Sequence, residues 1–448
     1  MTEMKTDLSM EQLLNSSGVH LYQKALSLIP GGTQLLSKRP EMFSPGIWPT
    51  YYKKAKGYRV WDLDDREFID MSIMAVGACI LGYADDEIDE AVIAAIHNGV
   101  NSSLNAPEEI QLAEALLELH PWFDMVRYCR GGGEAMAMAV RIARAYNTRD
   151  IVLFSGYHGW NDWYLAANLA DDKALDGQLM AGLEPNGVPR SMQGSAIPFD
   201  ANNIESLKKK IQGKEKQVAA IVIEPARGEA APAGYLQALR DLASDIGAVL
   251  IFDEITSGFR VCAGGLHRDL RVHPDIAVFA KSMANGYAMA AVIGSETVMQ
   301  AAQTTFISST NWTERIGPAA ALATIHKYQR DNVANHLIKA GSEVKKIWLD
   351  SASRHGIPIT VTGLPSLAAF SIDLPGKEKL NTLFTIEMLM RGFLGFRQFK
   401  PSLAHDSLVL QSYSVAVDEV FAVIARDPGG DSLATPSQHT GFQRLTKE

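Results

Sequence analysis

The sequence predicts an α/β protein: a large domain built on a mostly parallel central sheet, and a smaller α+β domain formed by both chain ends. Three observations carry this reading. Short β-rich runs alternate with helical stretches through the middle of the chain, which is the pattern of strands joined by helices. Several of those runs are apolar at consecutive positions, as strands buried on both faces are. After a helical stretch over residues 317–327 the pattern changes to more helix followed by two short strands. On this basis residues 76–330 form the large domain, and residues 1–75, which precede it, are assigned to the N-terminal part of the small domain. Residues 331–426 form the C-terminal part of the small domain, and 427–448 a polar tail.

Taken in order, residues 9–28 read as one amphipathic helix. Ser9 and Gln12 have capping-box spacing, and Leu13, Leu14, Leu21, Ala25 and Leu28 can share a face. Pro30-Gly31-Gly32 ends it. Residues 58–71 read as strand, acidic turn and strand, and residues 86–98 and 108–119 as helices. The β-rich runs of the middle are residues 126–129, 151–154, 218–224, 248–253, 276–280 and 290–293, with helical stretches such as 134–146 and 234–246 between them. Residues 331–354 read as helix, 359–362 and 367–372 as strands, and the tail from about 427 as loosely held.

Composition sets limits on function. The 448 residues are 47% hydrophobic and 21% charged, ordinary for a globular chain that can bury a large core. Net charge is -9, and the dense cationic cluster Lys208-Lys209-Lys210 reads as one exposed helix face. That excludes nucleic acid as a partner, because phosphate neutralisation needs clustered Lys and Arg. Cys79, Cys129 and Cys262 lie far apart, with no CxxC pair, so neither a disulfide framework nor a metal site is expected and a reducing compartment fits. Residues 1–15 do not read as a signal peptide, and apolar runs such as 246–252 are too short to cross a bilayer. The expectation is a cytoplasmic protein that meets no membrane.

Four features in sequence order carry chemistry. Arg130-Gly131-Gly132-Gly133-Glu134 follows a short strand and opens a helix, where bare backbone N–H groups and the helix N-terminus can cradle a phosphate. Gly156-Tyr157-His158-Gly159 follows the next strand, and a tyrosine there can stack on a flat ring. The apolar run 248–252 ends in Asp253-Glu254, and a carboxylate at that place can pair with a protonated pyridine nitrogen. The run 276–280 ends in Lys281, and an apolar setting makes a lysine amine nucleophilic towards an aldehyde. Each has a plainer alternative: a simple turn, a packed loop tyrosine, a helix cap, a surface lysine. Their order outweighs those alternatives. Asp253 and Lys281 are separated by about one βαβ step, which brings both to one edge of a sheet. Trp160, Trp163 and Tyr164 read as core before they read as a pocket wall.

The sequence resembles the class III aminotransferases of pyridoxal-phosphate fold type I, and within them the glutamate-1-semialdehyde 2,1-aminomutase-like group. The match runs over residues 21–372 and more faintly to about 424. It is carried by Ile29-Pro30-Gly31-Gly32, Trp61-Asp62-Leu63-Asp64, Ile80-Leu81-Gly82, Gly133-Glu134-Ala135 and Arg141-Ile142-Ala143-Arg144-Ala145-Tyr146. Tyr157-His158-Gly159, Glu224-Pro225-Ala226-Arg227-Gly228-Glu229, Asp253-Glu254-Ile255-Thr256-Ser257-Gly258-Phe259-Arg260 and the Lys281 segment complete it.

The resemblance implies pyridoxal 5'-phosphate as cofactor, with Lys281 as the Schiff-base lysine and proton shuttle and Asp253 on the ring nitrogen. Tyr157 would stack on one ring face and Ile255 pack on the other. Gly131, Gly132, Gly133 and His158 would belong to the cofactor site, and Glu224 to the ring's hydroxyl side. Thr310 would reach the phosphate of a neighbouring subunit, which implies a homodimer with shared sites. The family's usual Ser-Gly-Thr phosphate loop is Gly131-Gly132-Gly133 here, so backbone amides must do more. Lys38, with Arg39 next, stands where the aminomutase holds a substrate carboxylate with arginine, and lysine is not a bidentate clamp. The segment 309–315 lacks the usual Asn-Pro, and no acid near residues 402–412 matches the aminomutase. Lys38, Arg39 and Arg227 are the candidate substrate-anion binders. The expected activity is amino transfer from a small-molecule donor to a carbonyl acceptor through a Lys281 Schiff base and pyridoxamine phosphate. The alternatives are an aminomutase, a racemase on the same scaffold, or a non-catalytic binder of the cofactor or a nucleotide.

Overall fold

The computed structural model describes residues 8–178, 181–201, 203–226, 228–229, 231–232, 234–442 and 445. The chain divides into two compact units, Asp86–Ala334 and the pair Met1–Asp85 with Asn335–Glu448.

The first unit is built on a seven-stranded sheet. Its strands are β1 (Met125–Cys129), β2 (Ile151–Ser155), β3 (Ala196–Pro198), β4 (Val218–Ile223), β5 (Val249–Asp253), β6 (Ile276–Phe279) and β7 (Ala290–Gly294). They lie in the order β1-β7-β6-β5-β4-β2-β3. Neighbours from β6 through to β3 run parallel, and β7 runs antiparallel to both β6 and β1. Side chains on a strand alternate between faces, so a run apolar at every position fills two cores. Phe154, Ala220, Val222, Val249 and Ile251 pack in one cluster with Ala135, Met138 and Ile142 of helix α1 (Gly132–Asn147). Leu153, Ile221, Leu250 and Phe252 pack in the other with Leu236, Leu239 and Ala243 of helix α2 (Tyr235–Ile246). Each such Leu, Ile or Phe contributes about 1.5–3 kcal/mol of burial. Helix α3 spans Ile316–Arg330, slightly longer at both ends than its apolar pattern indicates.

In the second unit a strand from the C-terminal half, Phe393–Gly395, pairs in parallel with Glu67–Met71 from the N-terminal half. That strand pairing, with the antiparallel strands Tyr52–Lys56 and Arg59–Asp62, makes a four-stranded sheet. A three-stranded sheet joins Ile359–Thr362, Ala368–Ile372 and Gln398–Phe399. Helices Val333–Arg354, Lys377–Met390 and Ser407–Arg426 pack around Phe370, Phe384 and Trp348, whose indole N–H donates to the Tyr413 hydroxyl at 2.9 Å.

Three expectations are corrected here. Residues 9–28 form two helices, Met10–Leu14 and Ser17–Leu28, because Ser16 caps a second start by accepting the Val19 N–H, which periodicity cannot reveal. The tail is partly tied down: Gln438 N–H donates to Thr382 Oγ1 at 2.8 Å and His439 N–H to the Glu41 carbonyl at 2.7 Å. Helix Ser407–Arg426 is long and apolar enough to cross a membrane by length and composition. Its apolar residues are interrupted by polar ones, so no continuous run announces it, and Val409, Tyr413, Val417, Phe421 and Ile424 are buried in the core of the second unit.

Candidate active site

The parallel strands deliver their C-terminal ends to one edge. Asp253 is the last residue of β5 and lies in register with Val278 of β6, so Lys281, just past the end of β6, emerges beside it. The Asp253 carboxylate is 2% exposed. Its Oδ1 accepts the Ile255 N–H at 3.0 Å, and its Oδ2 lies 2.8 Å from His158 Nδ1. Lys281 Nζ donates to Thr256 Oγ1 at 2.8 Å. The Lys281 backbone has φ +48°, a left-handed conformation uncommon for a residue with a side chain.

The loop after β2 brings up the second group. Gly156 has φ +115°, and a Cβ there would collide with the Glu224 carboxylate. That close approach lets Glu224 Oε2 accept the Tyr157 N–H at 3.2 Å, immediately past the end of β4. The Tyr157 ring meets Tyr164 edge-on, centroids 5.7 Å apart. His158 turns inward, fully buried, with Nε2 3.1 Å from the Ser155 carbonyl. A carbonyl only accepts, so Nε2 is the donor in that contact.

The glycine loop completes the edge. The Glu134 carboxylate accepts the Gly131 N–H at 3.1 Å and the Arg130 N–H at 3.3 Å. Gly132 and Gly133 are the first residues of α1, where N–H groups have no acceptor within the helix. A Cβ on Gly132 would come within 3.0 Å of Ile255 Cδ1, which places this loop against the chain that follows Asp253. A Cβ on Gly159 would come within 2.9 Å of Gly133 Cα, and Asn161 Nδ2 donates to the Gly133 carbonyl at 2.8 Å. Arg130 Nε pairs with Glu314 Oε1 at 2.8 Å, and Glu314 in turn accepts the Ile316 and Gly317 N–H groups at the start of α3.

The structure therefore brings together Gly132, Gly133, Tyr157, His158, Glu224, Asp253, Ile255 and Lys281. His158 stands behind Asp253. Thr256 was missed by the sequence reading, and its only signal was its place beside Asp253. Thr310 begins an exposed turn, Thr310–Thr313, held by Thr313 Oγ1 donating to the Thr310 carbonyl. In the second unit Lys38 is exposed, while the Arg39 guanidinium lies against Gly31 and 5.7 Å from the Phe442 ring centroid. Arg227 lies outside the described residues. Trp163 and Tyr164 are core, but Trp160 is 71% exposed, which corrects its assignment to the core.

The second acid at the end of β5 points away from the site. Glu254 is fully buried and accepts the His267 backbone N–H at 2.9 Å, with His267 Nδ1 at 2.9 Å and the Ser257 hydroxyl also bonded to it. Burial pushes its carboxyl pKa up, but the His267 and Ser257 interactions bring it below the ordinary value. His120 stacks on His267 at 5.4 Å, and burial pushes its pKa down to about 3.

A lysine and a buried carboxylate on adjoining parallel strand ends, beside a glycine-rich helix start, define the class of lysine-dependent enzymes that use a phosphorylated aldehyde cofactor. The chain belongs to the class-III aminotransferases, whose family model matches residues 44–396. It is 34% identical over 419 residues to a 3-aminobutyryl-CoA aminotransferase of Cloacimonas acidaminovorans, covering 88% of this chain and 96% of that one. It is 34% identical over 295 residues to a glutamate-1-semialdehyde 2,1-aminomutase of Ruminiclostridium cellulolyticum, covering 64% of this chain and 65% of that one. An omega-transaminase structure from Sphaerobacter thermophilus superposes with a TM-score of 0.81 at 26% identity, over 92% of this chain and 98% of that one. The protein is a pyridoxal-phosphate aminotransferase of fold type I.

Proposed function

We propose that the chain moves an amino group between two separate molecules, with Lys281 as the Schiff-base lysine and the acceptor an acyl compound carrying its carbonyl at the β-position. The observation that carries the lysine assignment is its emergence beside the buried Asp253 carboxylate on adjoining strand ends. The donor set fits pyridoxal phosphate: a primary amine for its aldehyde, a carboxylate for its ring nitrogen, and glycine N–H groups for its phosphate, on a loop where a Cβ at Gly132 would crowd Ile255. When bound, the cofactor supplies the aldehyde and the electron-poor ring that stabilises negative charge at the donor carbon.

The residues do the rest. Asp253 Oδ2, backed by His158, favours a positively charged ring nitrogen. Tyr157 and Ile255 would hold the ring from its two faces. Glu224, fixed by the Tyr157 N–H, would border the ring's hydroxyl side. Lys281 Nζ, once freed by the donor amine, would take the proton from the donor's amine-bearing carbon and hold it on its own nitrogen for the return step. Thr256 Oγ1 orients that amine between turnovers.

The β-position follows the relative matched over most of both chains, whose substrate is a 3-aminoacyl thioester by name. The aminomutase relative is matched over a smaller share of each chain. A homodimer with shared sites is part of this proposal, a reading supported by Leu104 and Phe306, which stand 81% and 84% exposed on the first unit, and a cytoplasmic location is proposed from the cysteine usage alone. Titration of the purified protein with 3-aminobutyrate, its CoA thioester, alanine and glutamate tests the donor class. Loss of the visible cofactor band with the β-amino compounds is expected. A band bleached only by glutamate or alanine overturns the β-position, and a band that no separate donor bleaches favours the intramolecular reaction.

A further inference from the structure

We propose that the indole N–H of Trp160 binds the cofactor phosphate, in the place of the side-chain hydroxyl that the glycine loop lacks. This rests on the reading that the Gly132–Gly133 amides face that phosphate. Residue 133 has no side chain, and the space one would enter is bordered by the Asn161 amide, at 3.3 Å from a Cβ, and by the indole of Trp160. A Cβ on Gly133 would lie 3.4 Å from both Nε1 and Cδ1 of Trp160. The nitrogen-bearing edge of the indole therefore stands in contact with the place where a side chain at 133 would begin, at the open end of α1.

Trp160 is held there from both sides. Gly159 packs on Gly133 so closely that a Cβ would come within 2.9 Å of Gly133 Cα, and Asn161 Nδ2 bonds the Gly133 carbonyl at 2.8 Å. The ring is not spent on core packing: it is 71% exposed, whereas Trp163 and Tyr164 of the same segment are 5% and 1% exposed. An indole N–H is a donor only, so its natural partner is an acceptor such as a phosphate oxygen. The neighbouring acid, Glu134, is turned to the Gly131 and Arg130 N–H groups.

The experiment measures binding of pyridoxal phosphate and of unphosphorylated pyridoxal by equilibrium dialysis after removal of bound cofactor. Trp160→Phe keeps the ring and removes the donor. It is expected to weaken pyridoxal phosphate by about tenfold, the loss of one hydrogen bond to a charged group, and to leave pyridoxal unchanged. Adding Gly133→Ser to Trp160→Phe is expected to recover most of that loss, because it restores a hydroxyl at the same place. Equal binding of pyridoxal phosphate by the variant and the parent protein overturns the proposal. So does an equal loss for both compounds, or an effect confined to the KM of a phosphate-bearing substrate. If the parent protein binds neither compound, the cofactor-site reading itself is wrong and this inference falls with it.

Discussion

Asp253 Oδ2 and His158 Nδ1 lie 2.8 Å apart, and both side chains are shut off from solvent. The other ring nitrogen faces the Ser155 carbonyl, so the imidazole cannot turn away without losing a buried hydrogen bond. His158 is thus a positioning residue: it fixes the carboxylate and offsets the cost of burying its charge. His158→Phe removes a hydrogen bond to a charged group, worth about 1.5–3 kcal/mol, and is expected to weaken cofactor binding by about ten- to a hundredfold. His158→Gln, which can still donate, should recover part of that loss. Dialysis affinities for the two variants check it, and parental affinity in His158→Phe would remove the role.

Lys281→Ala is expected to lower turnover by on the order of a thousandfold or more. Borohydride, which fixes a Schiff base covalently, should no longer attach cofactor to the protein. Peptide mass mapping of the reduced parent protein should find the adduct on Lys281. Rapid turnover by the alanine variant, or an adduct on another lysine, contradicts the assignment.

Gly156→Ala meets two obstacles at once. Its φ of +115° is unfavourable for any residue with a side chain, and the new methyl would collide with the Glu224 carboxylate. The expected cost is about 1–3 kcal/mol, read as a lowered urea midpoint at unchanged slope. Activity should fall further than stability explains, because Glu224 also holds the Tyr157 N–H.

His120 gives the protein an acid-side weakness unconnected with catalysis. In the folded chain burial keeps it neutral down to a pKa of about 3, whereas its ordinary value is 6.5. Between those values the unfolded chain binds more protons, so the stability from this residue is full above the ordinary value and lost as pH falls towards the folded one. At about pH 5 that loss comes to about 2 kcal/mol. Urea unfolding near neutrality and at about pH 5 should show a smaller drop for His120→Gln than for the parent protein. Equal drops would locate the acid sensitivity elsewhere.

The sequence revealed what is local and periodic. The doubly buried strands announced themselves because Val249 and Leu250 must feed opposite cores, and Asp253 and Lys281 stood out as polar residues ending such runs. What depends on side-chain direction was hidden. Asp253 and Glu254 are adjacent and chemically alike, yet one faces the site and the other a buried histidine, a choice made by strand alternation and by His267. Trp160 escaped for a similar reason: its spacing with Trp163 and Tyr164 suggests core, while Gly159 sets the backbone course that carries it outward, at φ +102°. The break at Ser16 and the pinning of Gln438 rest on single hydrogen bonds, which leave no periodic trace.

The meeting of Gly133 and Gly159 has an evolutionary consequence. Gly133 opens α1 and Gly159 lies in the loop after β2, yet a methyl on Gly159 would push on the Gly133 backbone. A substitution at Gly159 would be tolerated only after the start of α1 had already shifted, so the order of changes matters. Glycine at 159 should therefore be inherited together with the present course of residue 133, and descendants of this chain that gain a side chain at 159 should show a displaced start of α1.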